Sequence, residues 1–361
     1  MINKNILSIC IPSHNRVNEI IKNLENLLQI EDNRFDVVIT DTSDQKGEYE
    51  KLKTIRDTRV KVFHSDKSCS AMENWFCALE NADGTFAFHL NDRDRINADK
   101  LQEFISFLLE HMNYVGGVCK YLLVEQEPVE YHGVKDTLMN IPYFAIHTTG
   151  NVFNTEYWKK IDDRKEIFTR NKCGCHPHDI ILGRLAMMGD MFLYTKNLWE
   201  IASEEFYKKN VSGTGMMKFF EPKERLFELK CCLQELESFI NIEKELKTEK
   251  CLQTIKNYLN LSTTIYFYYM ESKYEASHYG YTIQKYNIFQ KKKIVDNVLK
   301  LYRKELSLKG KTYTSLKNWT YRNFIVGELA KKSRVLKGKH IRTLLRVVNR
   351  KRKLREDAVL R

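Results

Sequence analysis

The sequence predicts an α/β protein built on a mostly parallel sheet with flanking helices, followed by an α-helical C-terminal region. Three observations carry this. Short apolar runs alternate with helical periodicity through the first hundred residues, each run ends in polar residues, and beyond Pro222 almost only helical periodicity remains.

Residues 6–11 form the first apolar run, which Pro12 is expected to stop, and residues 16–29 then place Ile20, Leu24, Leu27 and Leu28 at helical spacing. Residues 35–39 read as the second strand, ending in Thr40 and Asp41; a helix over 48–56 and a third strand over 60–63 follow. Residues 70–81 read as the third helix, with Met72, Trp75, Phe76 and Leu79 apolar, until Ala82-Asp83-Gly84 breaks it before the run 85–90. Strands alternating with helices imply parallel pairing through right-handed crossovers. Ser13, Asp41, Ser65 and Asn91, which follow the four strands, then share one edge of the sheet. After a helix over 98–111 the pattern turns strand-rich over 114–124 and 147–153, with helices expected at 155–161 and 180–188. Further helices are expected at 223–242, 249–272 and, in several pieces, 282–332. The expected organisation is a domain over 1–222, a helical region over 223–330 and a basic tail over 331–361.

A chain of 361 residues with 43% hydrophobic and 29% charged residues, five prolines and 15 glycines has the composition of a folded globular protein. No apolar run approaches the roughly 20 residues needed to span a bilayer. The N-terminus enters a strand without a cleavable leader pattern, and the nine cysteines have no framework spacing, so a cytoplasmic, reduced protein is expected. The net charge of +12 is uneven: residues 331–355 hold 12 Lys or Arg and no acid, residues 356–361 add −1, and the first 330 residues carry only +1. In that tail Ile341, Leu344, Leu345 and Val348 recur at helical spacing among Arg342, Arg346, Arg350 and Lys353. A basic amphipathic helix of this kind suits an anionic membrane surface, where each Lys or Arg contributes about 1 kcal/mol. The alternative is a stripe packed on the body or on another subunit.

Asn91-Asp92-Arg93-Asp94 sets two carboxylates one residue apart at the end of a buried strand, the edge at which α/β folds hold ligands. Two hard oxygen donors there suit a divalent cation carrying a diphosphate, and hence a nucleotide-sugar. Capping of the helix that starts near Ala98 is the simpler reading. Asp179 opens the helix over 180–188, as a cap, a first-turn acid or a reactive carboxylate. Cys173, Cys175, His176 and His178 crowd four possible zinc ligands into one loop, whereas structural zinc sites pair two separated clusters; the loop is read as shaping an acceptor site, with His178 placed to orient Asp179. Residues 210–215 have the small side chains of a mobile loop, read either as an ordinary surface loop or as one that closes over a ligand, and Arg225 follows as a possible diphosphate contact.

These pieces, in this order, resemble the family 2 glycosyltransferases, which have the Rossmann-like GT-A fold. Ile11-Pro12-Ser13-His14-Asn15-Arg16 matches the family's turn after the first strand, with His14 where tyrosine is usual; Thr40-Asp41-Thr42-Ser43-Asp44 resembles the turn after the second. The helix containing Asn74, Ala82-Asp83-Gly84 and the Asp92 and Asp94 pair follow as in the family, and His178-Asp179 opens the segment that resembles its catalytic-base region. The resemblance covers about residues 6–225. Thr42 and Arg93 stand where relatives often carry acids.

The resemblance implies an inverting, metal-dependent transfer from a nucleotide-sugar donor, a UDP-sugar foremost, to a hydroxyl of a saccharide or lipid-linked saccharide acceptor in surface-polysaccharide biosynthesis. It implies Asp94 as a ligand of Mg²⁺ or Mn²⁺, with Asp92 completing the metal shell or contacting ribose. Pro12, Ser13, Asn15, Arg16, Asp41 and Asn74 would bind the nucleotide-sugar, and Asp179 would be the catalytic base. Such an enzyme is expected at the inner face of the cell membrane, held there peripherally through residues 331–355. Nucleic-acid binding through the basic tail is the rival class, weighed against by the near-neutral body, and a catalytically silent saccharide-binding relative is another. A nucleotidyltransferase would carry a Gly-rich loop after the first strand, and Pro12-Ser13-His14-Asn15 has no glycine.

Overall fold

The computed structural model describes residues 5–44, 46–64, 69–120, 125–144, 147–169, 174, 176–202, 221–271 and 283–334. Ser65, Cys173, Cys175, the 210–215 loop and the tail beyond 334 lie outside them. The N-terminal half alternates β1 (Leu7–Ser13), α1 (Val17–Leu27), β2 (Phe35–Asp41), α2 (Lys46–Lys53), β3 (Val60–His64), α3 (Ala71–Glu80) and β4 (Phe86–His89). Then come β5 (Arg95–Ile96), α4 (Ala98–Glu110), β6 (Gly116–Cys119), β7 (Val129–Tyr131), α5 (Gly133–Asn140), β8 (Asn151–Asn154), α6 (Thr155–Lys159), α7 (Arg164–Ile167), α8 (Pro177–Ala186), β9 (Met191–Tyr194) and β10 (Trp199–Glu200). The C-terminal region holds α9 (Pro222–Ser238), α10 (Lys244–Asn260), a π turn at Leu261–Ile265, α11 (Tyr266–Glu271), α12 (Ile288–Glu305) and α13 (Gly310–Arg334).

Eight strands form one sheet in the order β3-β2-β1-β4-β8-β6-β9-β7, with β1 to β4 mutually parallel and β8 antiparallel to β4 and β6. This is the mostly parallel GT-A arrangement expected from the sequence. Chain order reverses between β1 and β4, which makes a crevice at the C-terminal ends of those strands.

Pro12 does not end β1. The Leu90 N–H donates to the Cys10 carbonyl and the Thr42 N–H to the Ser13 carbonyl, so even-numbered residues of β1 face β4 and odd-numbered ones face β2. Pairing with β4 stops at Cys10, so the missing N–H of Pro12 points where no ladder remains. The loop before β4 needs Gly84, since a Cβ there would lie 2.7 Å from the Ser8 nitrogen. The third helix begins with a capping box in which Ser70 and Glu73 satisfy each other's backbone N–H groups.

Alternate side chains of the strands divide the interior. Ile9, Ile11, Val37 and Phe88 pack with α1 and α4 through Leu24, Phe104 and Leu108. Cys10, Val38 and Ala87 pack with Met72 and Leu79 of α3 on the other side, and that cluster continues through α8 into Leu226, Tyr258, Tyr302 and Phe324 of the C-terminal helices. Seven cysteines among the described residues are free thiols. No helix of the described residues is long and apolar enough to cross a membrane.

Candidate active site

The loops after β1, β2 and β4 are tied to one another by side chains that were expected to bind nucleotide. Asn15 adopts φ +56°, a left-handed conformation that Asn tolerates, and acts as a latch. Its N–H donates to Ser43 Oγ at 2.8 Å, its Nδ2 to Asp44 Oδ2 at 3.1 Å, and its Oδ1 accepts from the Asp44 N–H at 3.1 Å. Asn74, on α3, donates Nδ2 to the carbonyls of Ser13 at 3.0 Å and Thr40 at 3.2 Å, clamping the ends of β1 and β2 together. Asp41 is fully buried and receives the Ser43 hydroxyl at 2.6 Å and the Ser43 N–H at 3.3 Å. It is therefore a turn-forming residue as well as a candidate ligand. The buried Ser13 hydroxyl and Asn74 Oδ1 have no hydrogen-bond partner, which leaves polar capacity at this edge for a ligand.

Arg16 spans the crevice. Its Nη1 donates to Asp92 Oδ1 at 2.7 Å, while the His14 N–H reaches Asp92 Oδ2 at 3.4 Å. Arg16 directly precedes α1, whose N-terminus adds a positive end of a helix dipole to the guanidinium. Cation, helix end and carboxylate thus meet where β1 and β4 diverge.

Asp94 is fully buried and does not cap α4, whose N-cap is Asn97. Its Oδ2 accepts from Thr149 Oγ1 at 2.5 Å and Asn91 Nδ2 at 3.4 Å, and its Oδ1 from the Ala202 N–H at 3.1 Å. His147 Nδ1 stands 3.7 Å from Oδ2. Burial pushes the His147 imidazole down to about 4 against the pull of Asp94, so it is neutral near pH 7, and its ring stacks on Trp199 with centroids 5.3 Å apart. Asn23 of α1 fixes the Asp94 backbone by donating to its carbonyl at 3.1 Å and accepting from the Ile96 N–H at 3.2 Å.

Behind Asp94 runs a buried polar chain. His178 Nε2 lies 3.3 Å from His89 Nδ1, and His89 Nε2 lies 3.3 Å from Asn91 Oδ1, which also accepts from Thr148 Oγ1 at 3.0 Å. Burial pushes both imidazoles down, His89 to about 4. Neutral rings carry one N–H each, so if His89 Nε2 donates to Asn91, its Nδ1 accepts from His178. His178 Nδ1 is then the buried acceptor left without a partner.

Asp179 faces elsewhere. It is buried in the first turn of α8, about 100° around the helix from His178. Its Oδ1 accepts the Tyr143 N–H at 3.0 Å, and Tyr143 has φ +67°. Lys250 of α10 packs nearby, donating to the Pro142 carbonyl at 2.8 Å and Gln253 Oε1 at 2.9 Å; burial pushes its ammonium down to about 7, opposed by the field of Asp179. The structure thus gathers Pro12, Ser13, Asn15, Arg16, Asp41, Asn74, Asp92 and Asp94 along one sheet edge and sets Asp179 in the junction between α8 and the C-terminal helices.

Arg225, expected as a diphosphate contact, is instead buried against Glu228 at 2.6 Å, and Glu228 holds His176 Nδ1 at 3.0 Å. His176 and His178 are therefore engaged with different partners. Among the described residues no group of three or more His, Cys, Asp or Glu side chains is gathered to hold a metal ion. The carboxylates of Asp92 and Asp94 keep lone pairs beyond the bonds they accept, and His147 Nε2 is buried without a partner. A cation such as Mg²⁺, which takes one or two carboxylates and completes its shell with phosphate oxygens and water, fits that donor set.

Sequence reasoning missed Asn23, His89, His147, Thr148 and Thr149. The last three precede β8, and because β8 runs antiparallel to β4 its beginning lies beside β4's end. A polar His-Thr-Thr-Gly run before a short apolar strand is the pattern that would have found them, once the direction of that strand was known.

No curated protein sequence matches the chain. Residues 8–173 match the family described as Glycosyl transferase family 2. Among solved structures, S. aureus TarS is similar over 73% of this chain and 50% of that chain, with 14% identity and a TM-score of 0.43, so the chain spans half of that protein's length. S. aureus TarS 1–349 in complex with UDP is similar over 83% of this chain and 92% of that one, with 15% identity and a TM-score of 0.45. The mannosyltransferase PcManGT from Pyrobaculum calidifontis, in complex with GDP-Man and Mn²⁺, is similar over 91% of this chain and 87% of that one, with 12% identity and a TM-score of 0.42. The residues matched by the family run from β1 past β8 and include Arg16, Asp41, Asp92, Asp94 and Thr149, and this cleft-bearing part of the chain is a glycosyl transferase family 2 domain.

Proposed function

We propose that the chain transfers a sugar from a nucleotide-sugar, a UDP-sugar foremost, to a hydroxyl of a saccharide or lipid-linked saccharide, with inversion at the anomeric carbon, in surface-glycan assembly at the inner face of a membrane. The observation that carries the donor reading is the meeting of Arg16, the N-terminus of α1, Asp92 and Asp94 at the reversal point between β1 and β4. A diphosphate there meets a guanidinium and a helix end on one side. Asp41, with the open hydroxyl of Ser13 beside it, is positioned for the nucleoside, and Asn15 and Asn74 hold the loops that shape its pocket. Asp94 and Asp92 would hold Mg²⁺ or Mn²⁺, which when bound stabilises charge on the departing diphosphate. Thr149, the Ala202 N–H and Asn23 fix Asp94 in place, so its orientation is set before donor arrives. Asp179, its Oδ1 held by the Tyr143 N–H, is proposed to accept the proton of the attacking hydroxyl.

The deciding experiment is a thermal-shift comparison of UDP, GDP, CDP and dTDP, each with and without Mn²⁺, on the wild type and Asp94→Ala. Stabilisation by one nucleotide that needs both the metal and Asp94 is expected. No stabilisation by any of them at saturating concentration would refute the donor site. Asp179→Asn separates two roles: loss of transfer with that shift intact supports the base, whereas loss of both reassigns Asp179 to packing of α8.

A further inference from the structure

Four large apolar side chains stand exposed at one end of a strongly basic helical hairpin. α12 and α13 run antiparallel, because Lys291 Nζ donates to the two Glu328 oxygens at 2.9 and 2.8 Å, the Tyr321 hydroxyl donates to Asp296, and the Arg303 guanidinium lies 4.6 Å from the Tyr313 ring centroid. Val295, Val298, Leu299 and Tyr302 of α12 and Leu316, Thr320 and Phe324 of α13 are buried. Phe289, by contrast, is 80% exposed, Leu329 56%, Ile325 53% and Ile288 48%. Phe289 comes two residues before Lys291 and Leu329 one after Glu328, so the buried ion pair sets both at the same end of the hairpin. Ile325 and Leu329 are one turn apart on one face. A single exposed aliphatic needs no explanation, but four large apolar side chains at one end of a hairpin mark an interaction surface.

The charge selects the partner. Residues 283–334 hold 14 Lys or Arg against three Asp or Glu, and Asp296, Glu305 and Glu328 are each engaged by Tyr321, Lys230 or Lys291. Lys292 and Lys293 follow Phe289 at one helical turn and are exposed. Residues 335–361 continue the same chain with ten Lys or Arg against two acids. A second copy would bring a like field against the first, and a nucleic acid would leave the apolar side chains without a partner. An anionic bilayer answers both, since lipid phosphates meet the lysines while the apolar side chains enter the boundary between headgroups and acyl chains.

We propose that the α12–α13 hairpin docks this protein on an anionic lipid surface, with Phe289, Ile325 and Leu329 as the inserting side chains. The proposal goes beyond the donor-site reading and does not depend on it. The test is sedimentation of the full-length chain with vesicles of phosphatidylcholine, with and without phosphatidylglycerol. Wild type is expected to bind only the anionic vesicles, and increasing salt to weaken binding. The triple variant Phe289→Gln, Ile325→Gln, Leu329→Gln keeps every charge and alters only exposed positions; its partitioning is expected to fall by about tenfold or more, with an unchanged melting temperature. Wild-type partitioning by the triple variant would show that basic residues alone carry binding, and would overturn the insertion. No binding by wild type, or a dimer in solution that the triple variant abolishes, would also overturn it. Failure of the nucleotide thermal shift would leave the vesicle result standing, so the two readings fail separately.

Discussion

Asp94 shows how much of a functional carboxylate's behaviour belongs to its neighbours. The Thr149 hydroxyl donates to Asp94 Oδ2 while accepting the Asn91 N–H at 2.9 Å, so one side chain satisfies two buried groups. Thr149→Val should therefore leave the Asn91 N–H unpaired and Asp94 Oδ2 with only the longer bond from Asn91 Nδ2, lowering stability by about 1–3 kcal/mol and reducing transfer, while Thr149→Ser should retain most of both bonds; denaturant unfolding and an initial-rate assay check this. His89 gives the pH dependence. It packs against His178 and Asn91, in the fields of His147 and Asp94, and burial lowers it from 6.5 to about 4. Between those values the unfolded chain binds a proton that the folded chain does not, so this contribution is complete above pH 6.5 and lost as pH falls towards 4. The loss amounts to roughly 3 kcal/mol at most, and His178 shifts in the same direction. Unfolding free energies between pH 5 and 7 should fall on acidification, with a smaller slope in His89→Gln; an equal slope would show that other groups carry it. The carboxylates themselves were legible, because Asp92 and Asp94 sit together after an apolar run. Their partners were not: Thr149 and Asn23 lie 55 and 71 residues from Asp94, and only the sheet's order brings them to it.

At the scale of elements, legibility followed length and context. The run from β1 to β4 was readable because buried parallel strands are continuous apolar segments separated by amphipathic helices. β6, β8 and β9 have four residues each and β7 has three, too short for periodicity to distinguish a strand from any other apolar piece. α8 begins three residues before the expected position because Pro177, lacking an N–H, suits the first turn and carries His178 and Asp179 into the helix. The expected helix over 249–272 is interrupted by the π turn at Leu261–Ile265, where Ser262 and Tyr302 hydroxyls meet at 2.6 Å. Gly150 is the residue on which the start of β8 depends: its φ is +97°, and a Cβ would lie 2.2 Å from the Cys119 carbonyl oxygen and 2.8 Å from Trp199 Nε1. Gly150→Ala should displace the 147–149 loop from Asp94, costing more than the roughly 1 kcal/mol of an unstrained glycine replacement and weakening the metal-dependent nucleotide shift. A melting curve and thermal shift indistinguishable from wild type would show that the loop is not held this way.

At the scale of the molecule, the apparent boundary at Pro222 is a change of secondary structure within a shared interior. The composition after Pro222 is legible as helical, but helical periodicity alone does not say what the buried stripes pack against. They pack on the sheet's own layer: Leu226, Leu229 and Cys232 of α9 and Tyr258 of α10 belong to one cluster with Ile181 and Leu185 of α8, Val118 of β6 and Phe153 of β8. Polar contacts cross the same junction, with Glu228 holding His176, Glu235 pairing with Arg184 at 2.6 Å, and Lys250 bonded to the carbonyl before Tyr143, whose N–H holds Asp179. A chain ending at residue 222 would expose that apolar face and leave Lys250's acceptors and the Asp179 surroundings open to water. It is expected to lose the cooperative thermal transition of the full chain and to bind an apolar dye, even though it retains the whole family-matched stretch and every residue of the donor edge. A truncated chain that melted cooperatively and kept the metal-dependent nucleotide shift would show instead that the sheet and its donor edge form an independent unit, with the C-terminal helices appended to it.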